Sequence, residues 1–245
     1  MKKKHRLPFP ILFEDDDVIV IEKPAGLLTT HTKLVGRAAR ESQLTAENVL
    51  NDYVRKGQAK SRKRVWLVHR LDRETSGVMM FAKSEEVAEK FRADWGNLTE
   101  KTYLARVAGV LPEESGVFES YLQEDADGYR VRSVRVGVGS GRVGSGEIKQ
   151  FKQSNNQPIP RFARTEWKKL SVKDGTTLVE VKLKTGRKNQ IRVHFSEAGH
   201  PVIGDEKYGG ERASRLYLHA QTLRFQHPRT GEWLEFTATP PRGFG

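Results

Sequence analysis

The sequence predicts an α+β fold, a single domain built on a mixed, largely antiparallel bent sheet flanked by helices. Segments with strand patterning outnumber those with helical patterning, and no segment repeats along the chain. The 245 residues are enough to bury a sizeable core without disulfides or metals.

Strand patterning begins near the N-terminus. An apolar stretch covers residues 11–21 and contains the β-branched run Val18-Ile-Val-Ile21, which is typical of a buried strand. Lys23-Pro24-Ala25-Gly26 ends this strand, and the polar, basic residues 29–42 predict a loop. Further strands are predicted at residues 65–68, 78–82 and 103–110.

Two predicted helices begin at capping residues, Thr45 and Ser84, and Gly57 follows the end of the first. A third predicted helix ends at Gly199 and Pro201. The residues at helical spacing are Val49, Leu50, Tyr53 and Val54 in the first helix, Val87, Phe91 and Trp95 in the second, and Ile191, His194, Phe195 and Ala198 in the third.

The chain divides into a basic N-terminal tail, residues 1–10, and one domain, residues 11–245. Within the domain, residues 137–162 are rich in Gly, Ser, Asn, Gln and Pro, which predicts a flexible insertion. The remaining strands are predicted at residues 129–138, 177–183, 216–218, 223–225 and 233–238.

The net charge of +12 and the pI near 9.9 point to a polyanionic partner, with nucleic acid first and an acidic membrane surface second. No apolar run is long enough to span a bilayer and no signal peptide is evident, so we expect a soluble, cytoplasmic protein. The absence of cysteine excludes disulfides, thiolate nucleophiles and Cys-ligated metals.

One glycine motif suggests a nucleotide cofactor but lacks the required context. Gly139-Ser140-Gly141-Arg142-Val143-Gly144 matches G-x-G-x-x-G, yet polar loop residues follow where a helix must open to hold a pyrophosphate. The chain also lacks G-K-[ST], H-E-x-x-H and any histidine pair four residues apart. We therefore expect neither a cofactor nor a metal.

A polar cluster lies between two predicted strands, in the sequence Val68-His-Arg-Leu-Asp-Arg-Glu-Thr-Ser-Gly77. Arg70 and Arg73 flank Asp72 closely, and nearby positive charge keeps a carboxylate ionised. Such an aspartate suits a catalytic role, but the same pattern describes an aspartate that pairs with arginine in a turn. The segment alone leaves both interpretations open.

A second basic cluster runs from Lys184 to His194. Gly186 permits a sharp turn from strand to helix, and Arg187 and Lys188 at the helix start form a potential site for phosphate or carboxylate. A solvated basic helix start is the alternative.

Several motifs together resemble those of the RluA family of RNA pseudouridine synthases. The first is His69-Arg70-Leu71-Asp72 followed by Thr75-Ser76-Gly77. The others, in the family's order, are Lys23-Pro-Ala-Gly26, Lys101-x-Tyr103-x-Ala105-x-Val107-x-Gly109, Thr185-Gly-Arg187-x-x-Gln190-Ile-Arg192-Val-His194, Gly199-His-Pro201, Gly204-Asp205 with Tyr208-Gly209, Leu218-His219-Ala220 and His227-Pro228. The resemblance covers residues 11–240.

The resemblance implies that the protein converts uridine to pseudouridine in structured rRNA or tRNA without a cofactor or metal. It assigns catalysis to Asp72, with Arg187 paired to it and Tyr103 stacked on the uracil or handling the C5 proton. Asp72 acts either as a nucleophile or as a base on the 2′ position. RNA contacts are expected from Arg70, Arg73, Lys188 and Arg192, and Arg70 is suited to fill the stack that a flipped uridine leaves.

Two features depart from the family pattern. Asn189 stands where the family most often has histidine, and no RNA-binding module of the S4 type precedes residue 11. Recognition of RNA is therefore expected from the catalytic domain itself, acting as a monomer.

Two other functions fit parts of the sequence. A non-catalytic RNA-binding or ribosome-assembly factor on the same fold would use only the basic surface, and has no need of an aligned Asp72, Tyr103 and Arg187. A dehydrogenase rests only on the glycine motif.

Overall fold

The computed structural model describes residues 7–31, 43–56, 58, 60–134 and 158–244. Much of the predicted 29–42 loop, most of the predicted 137–162 insertion and Gly57 lie outside these residues. So do residues 1–6 of the predicted basic tail, while Phe9 from the same segment is buried in the core.

The described chain forms four α-helices, one 3₁₀ helix and eleven strands. The helices are α1 (Ala46–Arg55), α2 (Glu85–Ala93), α3 (Trp95–Leu98), α4 (Gln190–Glu197) and the 3₁₀ helix Glu206–Tyr208. The strands are β1 (Ile11–Glu14), β2 (Val18–Lys23), β3 (Trp66–Leu67), β4 (Ser76–Ala82), β5 (Thr99–Ala108), β6 (Ser115–Glu124), β7 (Val131–Val134), β8 (Arg161–Lys173), β9 (Thr176–Leu183), β10 (Leu218–Gln226) and β11 (Trp233–Thr237).

All the described strands belong to one mixed sheet, which confirms the predicted α+β class. Its order is β1-β2-β4-β10-β5-β9-β8-β6-β7, with β11 paired to β10 and β3 paired to β4. The pair β4–β10 is parallel, and every other described strand pair is antiparallel. This parallel contact therefore joins two antiparallel halves of the sheet.

Alternation along the central strands places side chains in two cores, one on each face of the sheet. In β2, Ile19 and Ile21 enter the larger core, whereas Val18 and Val20 enter the smaller one. Helix α1 covers the larger core and α2 covers the smaller one. All residues of β4 are buried, because both of its faces are covered.

Local signals positioned the starts of α1 and α2 as predicted, whereas Trp95, which was predicted in the second helix, begins the separate helix α3. Thr45 and Ser84 cap α1 and α2 through their hydroxyl groups, which accept hydrogen bonds from the backbone N–H groups of Asn48 and Val87. Tyr53 was predicted at helical spacing with the apolar residues of α1, but its side chain is exposed and its hydroxyl donates a hydrogen bond to Glu14 on β1.

The strands differ from the predictions in three ways. The expected strand at 223–225 and the last residue of the one at 216–218 belong to a single strand, β10, which passes through an irregularity at Gln221. Strand β5 begins at Thr99 rather than Tyr103. Two strands were not predicted: β6, and β8, which begins at Arg161, inside the predicted insertion. In the described residues, no helix is long and apolar enough to cross a membrane.

The parallel junction depends on Gly77. Its φ is +121°, and a Cβ there would lie 2.0 Å from the carbonyl oxygen of Ala220 on β10. Any side chain at residue 77 must therefore separate β4 from β10.

We expect Gly77→Ala to reduce the free energy of unfolding by about 3 kcal/mol or more, since backbone atoms cannot yield as a side chain can. Gly96→Ala is the control: its Cβ would meet nothing within 4 Å, so the change should stay within about 1 kcal/mol. Urea unfolding of the two variants measures the difference, and equal midpoints would contradict this account of the junction.

Candidate active site

The loop that carries Asp72 leaves β3 and enters β4 beside the parallel junction. Its backbone is fixed by Thr29, whose hydroxyl donates to the carbonyl of Leu71 (2.8 Å) and accepts from the Leu71 N–H (3.3 Å). A turn within the loop is closed by the N–H of Thr75 donating to the carbonyl of Asp72 at 3.2 Å. The aspartate is therefore held on a rigid support.

Lys23 fastens this loop to the end of β2. The lysine is fully buried, and its Nζ donates to the carbonyls of Pro24 (2.8 Å), Leu27 (2.7 Å) and Arg73 (3.2 Å). Burial lowers the pKa of Lys23 to about 8, although the charges of Asp72 and Glu74 act in the opposite direction. The lysine is a structural clamp, a role that its place in a motif did not reveal.

Two side chains donate hydrogen bonds to the same oxygen of Asp72. The side-chain amide of Asn189 reaches Oδ2 at 2.6 Å, and Nη1 of Arg192 reaches it at 3.3 Å. Both residues come from the start of α4. The carboxylate is thus fixed from one side by a neutral donor and a charged donor.

Arg192 is itself held by a buried bidentate pair with Asp205. Its Nε lies 2.6 Å from Oδ2 and its Nη2 lies 2.7 Å from Oδ1 of that carboxylate. Burial lowers the pKa of Arg192, but the hydrogen bonds and charge of Asp205, followed by those of Asp72, outweigh burial and raise it above its ordinary value. The guanidinium therefore remains charged and pairs with two carboxylates, Asp205 and Asp72.

This arrangement corrects two sequence predictions. Arg192, not Arg187, forms the ion pair with Asp72, because α4 begins at Gln190 and turns Arg192 inward within its first turn. Arg187 precedes the helix, and its Nε donates to the carbonyl of Phe162 at 2.9 Å. Arg192 is buried between two carboxylates, so it is also not the free phosphate contact that was predicted.

Tyr103 lies on β5, almost fully buried. Burial raises the pKa of Tyr103 well above its usual range, and the charge of Asp72 raises it further. The hydroxyl therefore stays protonated at neutral pH.

Two adjoining cavities meet at Asp72, with volumes of about 60 Å³ and 430 Å³. The larger lies within the size range of small-molecule pockets. Tyr103 and Arg187 line the smaller cavity, while Lys188 and Lys207 line the larger. The residues common to both are Arg70, Leu71, Asp72, Asn189 and Arg192.

The remaining predicted RNA contacts lie at the rim. Arg70 is exposed and lines both cavities. Arg73 is exposed, and its Nε donates to the carbonyl of Gly26 at 3.1 Å. Lys188 forms an exposed ion pair with Glu124 at 2.9 Å and also donates to the carbonyl of Gly128.

His69 precedes the Asp72 loop but has no acid–base role. Its Nε2 accepts from the N–H of Met80 at 3.0 Å, and its ring packs on Trp95 with centroids 4.7 Å apart. Burial, followed by the charge of Lys101, lowers the pKa of His69 to about 3. The imidazole is therefore neutral and structural.

Four contributors to the site were not identified from the sequence. Asp205 and Tyr208 occur in motifs to which no role was assigned. Asn189 was noted only because the family most often has histidine there, and no feature of the sequence indicated a role for Lys207. Their function arises from contacts across the fold. The charge of Asp72 affects the pKa of Lys23, Tyr103, Arg192, Lys207 and Tyr208. Other charged residues that line the two cavities with Asp72 are Arg70, Arg73, Glu74, Arg187, Lys188, Asp205 and Glu206.

One group in the described residues has ligand atoms spaced as in a metal site: Asp15, Asp17 and His227, all within 4.8 Å of one another. These groups already have protein partners. His227 Nε2 lies 2.6 Å from Asp15, and Arg229 pairs with Asp17 at 2.9 Å. The cluster acts as an ion-pair network between two turns.

Comparison with known proteins places this geometry in context. The family model described as RNA pseudouridylate synthase matches residues 17–197. The uncharacterized RNA pseudouridine synthase YlyB of Bacillus subtilis is 32% identical, over 94% of this chain and 69% of the relative. The tRNA pseudouridine synthase C of Vibrio cholerae is 32% identical, over 93% and 89%.

Two further proteins extend the comparison. The ribosomal large subunit pseudouridine synthase C of Vibrio parahaemolyticus is 28% identical, over 97% of this chain and 68% of the relative. The solved structure of human RNA Pseudouridylate Synthase Domain Containing 4 has a TM-score of 0.68 at 27% identity, covering 96% of this chain and 89% of that one.

The Lys23 clamp leads to a stability prediction. Lys23→Met removes a buried donor from three carbonyls, of which only that of Arg73 keeps another donor in the described part of the chain, the Gly26 N–H at 2.8 Å, so the free energy of unfolding should fall by about 2–4 kcal/mol. Lys182→Met is the matched control, because that lysine is exposed and its change should cost less than about 0.5 kcal/mol. Urea unfolding compares them, and a Lys23→Met protein as stable as the control would refute the clamp.

Proposed function

Because the chain belongs to the RNA pseudouridylate synthase family, and is thus an isomerase of RNA uridines, we propose that it acts on structured rRNA or tRNA with Asp72 as the catalytic carboxylate. The observation that carries this proposal is the fixed Asp72 at the meeting point of two cavities. The names of the relatives from the two Vibrio species support both RNA classes as substrates. We also propose that the protein acts on these substrates in the cytoplasm.

The reaction conserves all atoms of the substrate. The bond between N1 and C1′ breaks, the uracil turns, and a bond between C5 and C1′ forms, while C5 loses a proton and N1 gains one. No electrons leave or enter, so the chemistry calls for neither a redox cofactor nor a metal. Asp72 acts at the sugar, either by attacking C1′ or by removing the 2′ proton, and both routes require an ionised, accessible carboxylate oxygen.

The other residues of the site act around this carboxylate. Arg192 holds Asp72 and supports its negative charge. Tyr103 offers its ring as a surface on which the uracil stacks. Its raised pKa disfavours a phenolate, so we propose packing of the base, rather than removal of the C5 proton by a tyrosinate, as its main role. We propose that the enzyme acts as a monomer.

A uridine within folded RNA must leave its stack to reach Asp72, at a cost of a few kcal/mol. Arg70 is suited to compensate for this cost. It is exposed at the junction of the two cavities, and its planar guanidinium can stack between the neighbouring bases. Exposed basic residues at the rim, including Arg73 and Lys188, are proposed to contact phosphates.

Asp72→Asn tests the catalytic assignment. We expect pseudouridine formation in rRNA and tRNA transcripts to fall at least about 10²-fold, with RNA affinity little changed, because phosphate contacts dominate binding. Asp174→Asn is the control, since Asp174 lies at the exposed β8–β9 turn in a backbone conformation that asparagine tolerates. An Asp72→Asn enzyme with normal turnover would overturn the assignment and favour a non-catalytic RNA-binding factor.

Arg70→Ala tests the proposed stacking role. Single-turnover rates should fall about tenfold or more while affinity changes little, because the proposed role begins after the uridine flips. Lys173→Ala is the control. It removes the same charge, but Lys173 lies about 25 Å along the β8–β9 hairpin from Leu183, the residue of this hairpin that lines the smaller cavity. Binding over a salt series accompanies the rates, and an Arg70→Ala defect confined to affinity would contradict the role.

A further inference from the structure

Asn189 makes the shortest contact with Asp72 and is also linked to the opposite wall of the larger cavity. It is 7% exposed, and its Nδ2 donates to Oδ2 of Asp72 at 2.6 Å. Its Oδ1 accepts from Nζ of Lys207 and from the hydroxyl of Tyr208, each at 3.1 Å. The amide therefore bridges the 3₁₀ helix and the catalytic loop.

The partners of Asn189 determine which way its amide faces. A reversed amide would place its oxygen against the Asp72 carboxylate and its NH₂ against the Lys207 ammonium. Both contacts would be repulsive, since an ammonium has no acceptor and a carboxylate has no donor. The N–H donors of Asn189 are thus committed to Asp72.

The backbone around Asn189 is equally constrained. Its φ of 51° and ψ of 20° lie in the left-handed region, which asparagine adopts more readily than most residues. The next residue, Gln190, begins α4, and its side-chain oxygen accepts from Thr185 Oγ1 (2.7 Å) and from the Arg187 N–H (3.0 Å). These bonds fix the turn from which the Asn189 side chain reaches Asp72.

Both donors to the carboxylate use the same oxygen. Arg192 makes its shorter bonds to Asp205 and reaches Asp72 at 3.3 Å, so the 2.6 Å bond from Asn189 is the closer restraint. Within the described residues, no side chain or backbone group donates to Oδ1 of Asp72. One oxygen is anchored, and the other has no hydrogen-bond donor among these residues.

We propose that Asn189 is a positioning residue that anchors Oδ2 of Asp72 and so presents Oδ1 to the uridine. The inference rests on the proposed catalytic role of Asp72. It also assigns a purpose to the asparagine at this position: it supplies an uncharged donor to the carboxylate, while its own acceptor is held by Lys207 and Tyr208.

The test compares single-turnover rates across pH in the native protein and five variants. Asn189→Gly removes the amide and keeps the left-handed backbone, so the carboxylate of Asp72 loses the shorter of its two hydrogen bonds. We expect the acid limb of the pH–rate profile to move about one unit towards higher pH and the plateau rate to fall about tenfold. Asn189→His retains a ring N–H donor, and should restore most of the rate.

Asn97→Ala provides the matched control. Its amide also donates to a carboxylate, Asp94 Oδ1 at 2.6 Å, but on the exposed surface of α3. This variant should keep the native rate and profile. A Tyr208→Phe change should slow the native enzyme more than it slows the Asn189→Gly protein, because part of its effect passes through the amide and the rest through the Val131 N–H, which donates to the same hydroxyl at 3.1 Å.

The outcomes separate this inference from the proposed function. If Asp72→Asn is inactive and Asn189→Gly has the native pH profile, Asn189 is not a positioning residue although Asp72 is catalytic. A uniform rate loss at every pH that histidine does not restore would also overturn the inference, since it indicates a structural role only. An active Asp72→Asn enzyme would instead defeat the proposed function.

Discussion

The buried guanidinium of Arg192 lies between the carboxylates of Asp205 and Asp72, and this contact joins the segments that build the site. Arg192 belongs to α4, Asp205 immediately precedes the 3₁₀ helix, and Asp72 lies in the loop before β4. Loss of one partner would leave a buried charge uncompensated, which commonly costs several kcal/mol. The same contact therefore supports both the fold around the cleft and the charge on the carboxylate. Asp205 accepts the two shorter hydrogen bonds from Arg192, so Arg192 neutralises the charge of Asp72 only in part. In the proposed reaction, a carboxylate that keeps more of its negative charge is better suited to act on the sugar than one paired fully with an arginine.

The parallel contact between β4 and β10 brings these segments together. Gly77 lets the two backbones approach at the point where the Asp72 loop enters the sheet, and Ala220 on β10 also pairs with Tyr103 on β5. The Asp72 loop, the buried tyrosine and the start of β10 thus converge because two antiparallel halves meet there. Ligand sites often form where the order of strands in a sheet changes in this way.

Local patterning was sufficient to predict much of the fold, because composition and capping act over a few residues. The buried strand β4 and the caps at Thr45 and Ser84 are examples. Local patterning could not predict contacts between distant residues. Arg187 was predicted to pair with Asp72, but the structure has Arg192 in this position. The pairing depends on the left-handed turn at Asn189, which determines which arginine faces inward. The burial of Lys23 depends likewise on carbonyls supplied by two separate loops.

The two kinds of basic residue at the cleft differ in their freedom to meet RNA. Lys188 pairs with Glu124 near the surface, and such an exposed pair contributes at most about 1 kcal/mol. A phosphate can therefore replace Glu124 at little cost, and the released counterions favour the exchange. Arg192 cannot leave its partners in this way, because without it the negative charges of Asp205 and Asp72 would repel each other with no cation between them. In the proposed function, the positive charge that attracts RNA lies on rim residues held by weak pairs, whereas the buried charges fix the geometry of Asp72. This division would separate substrate attraction from catalysis within one domain.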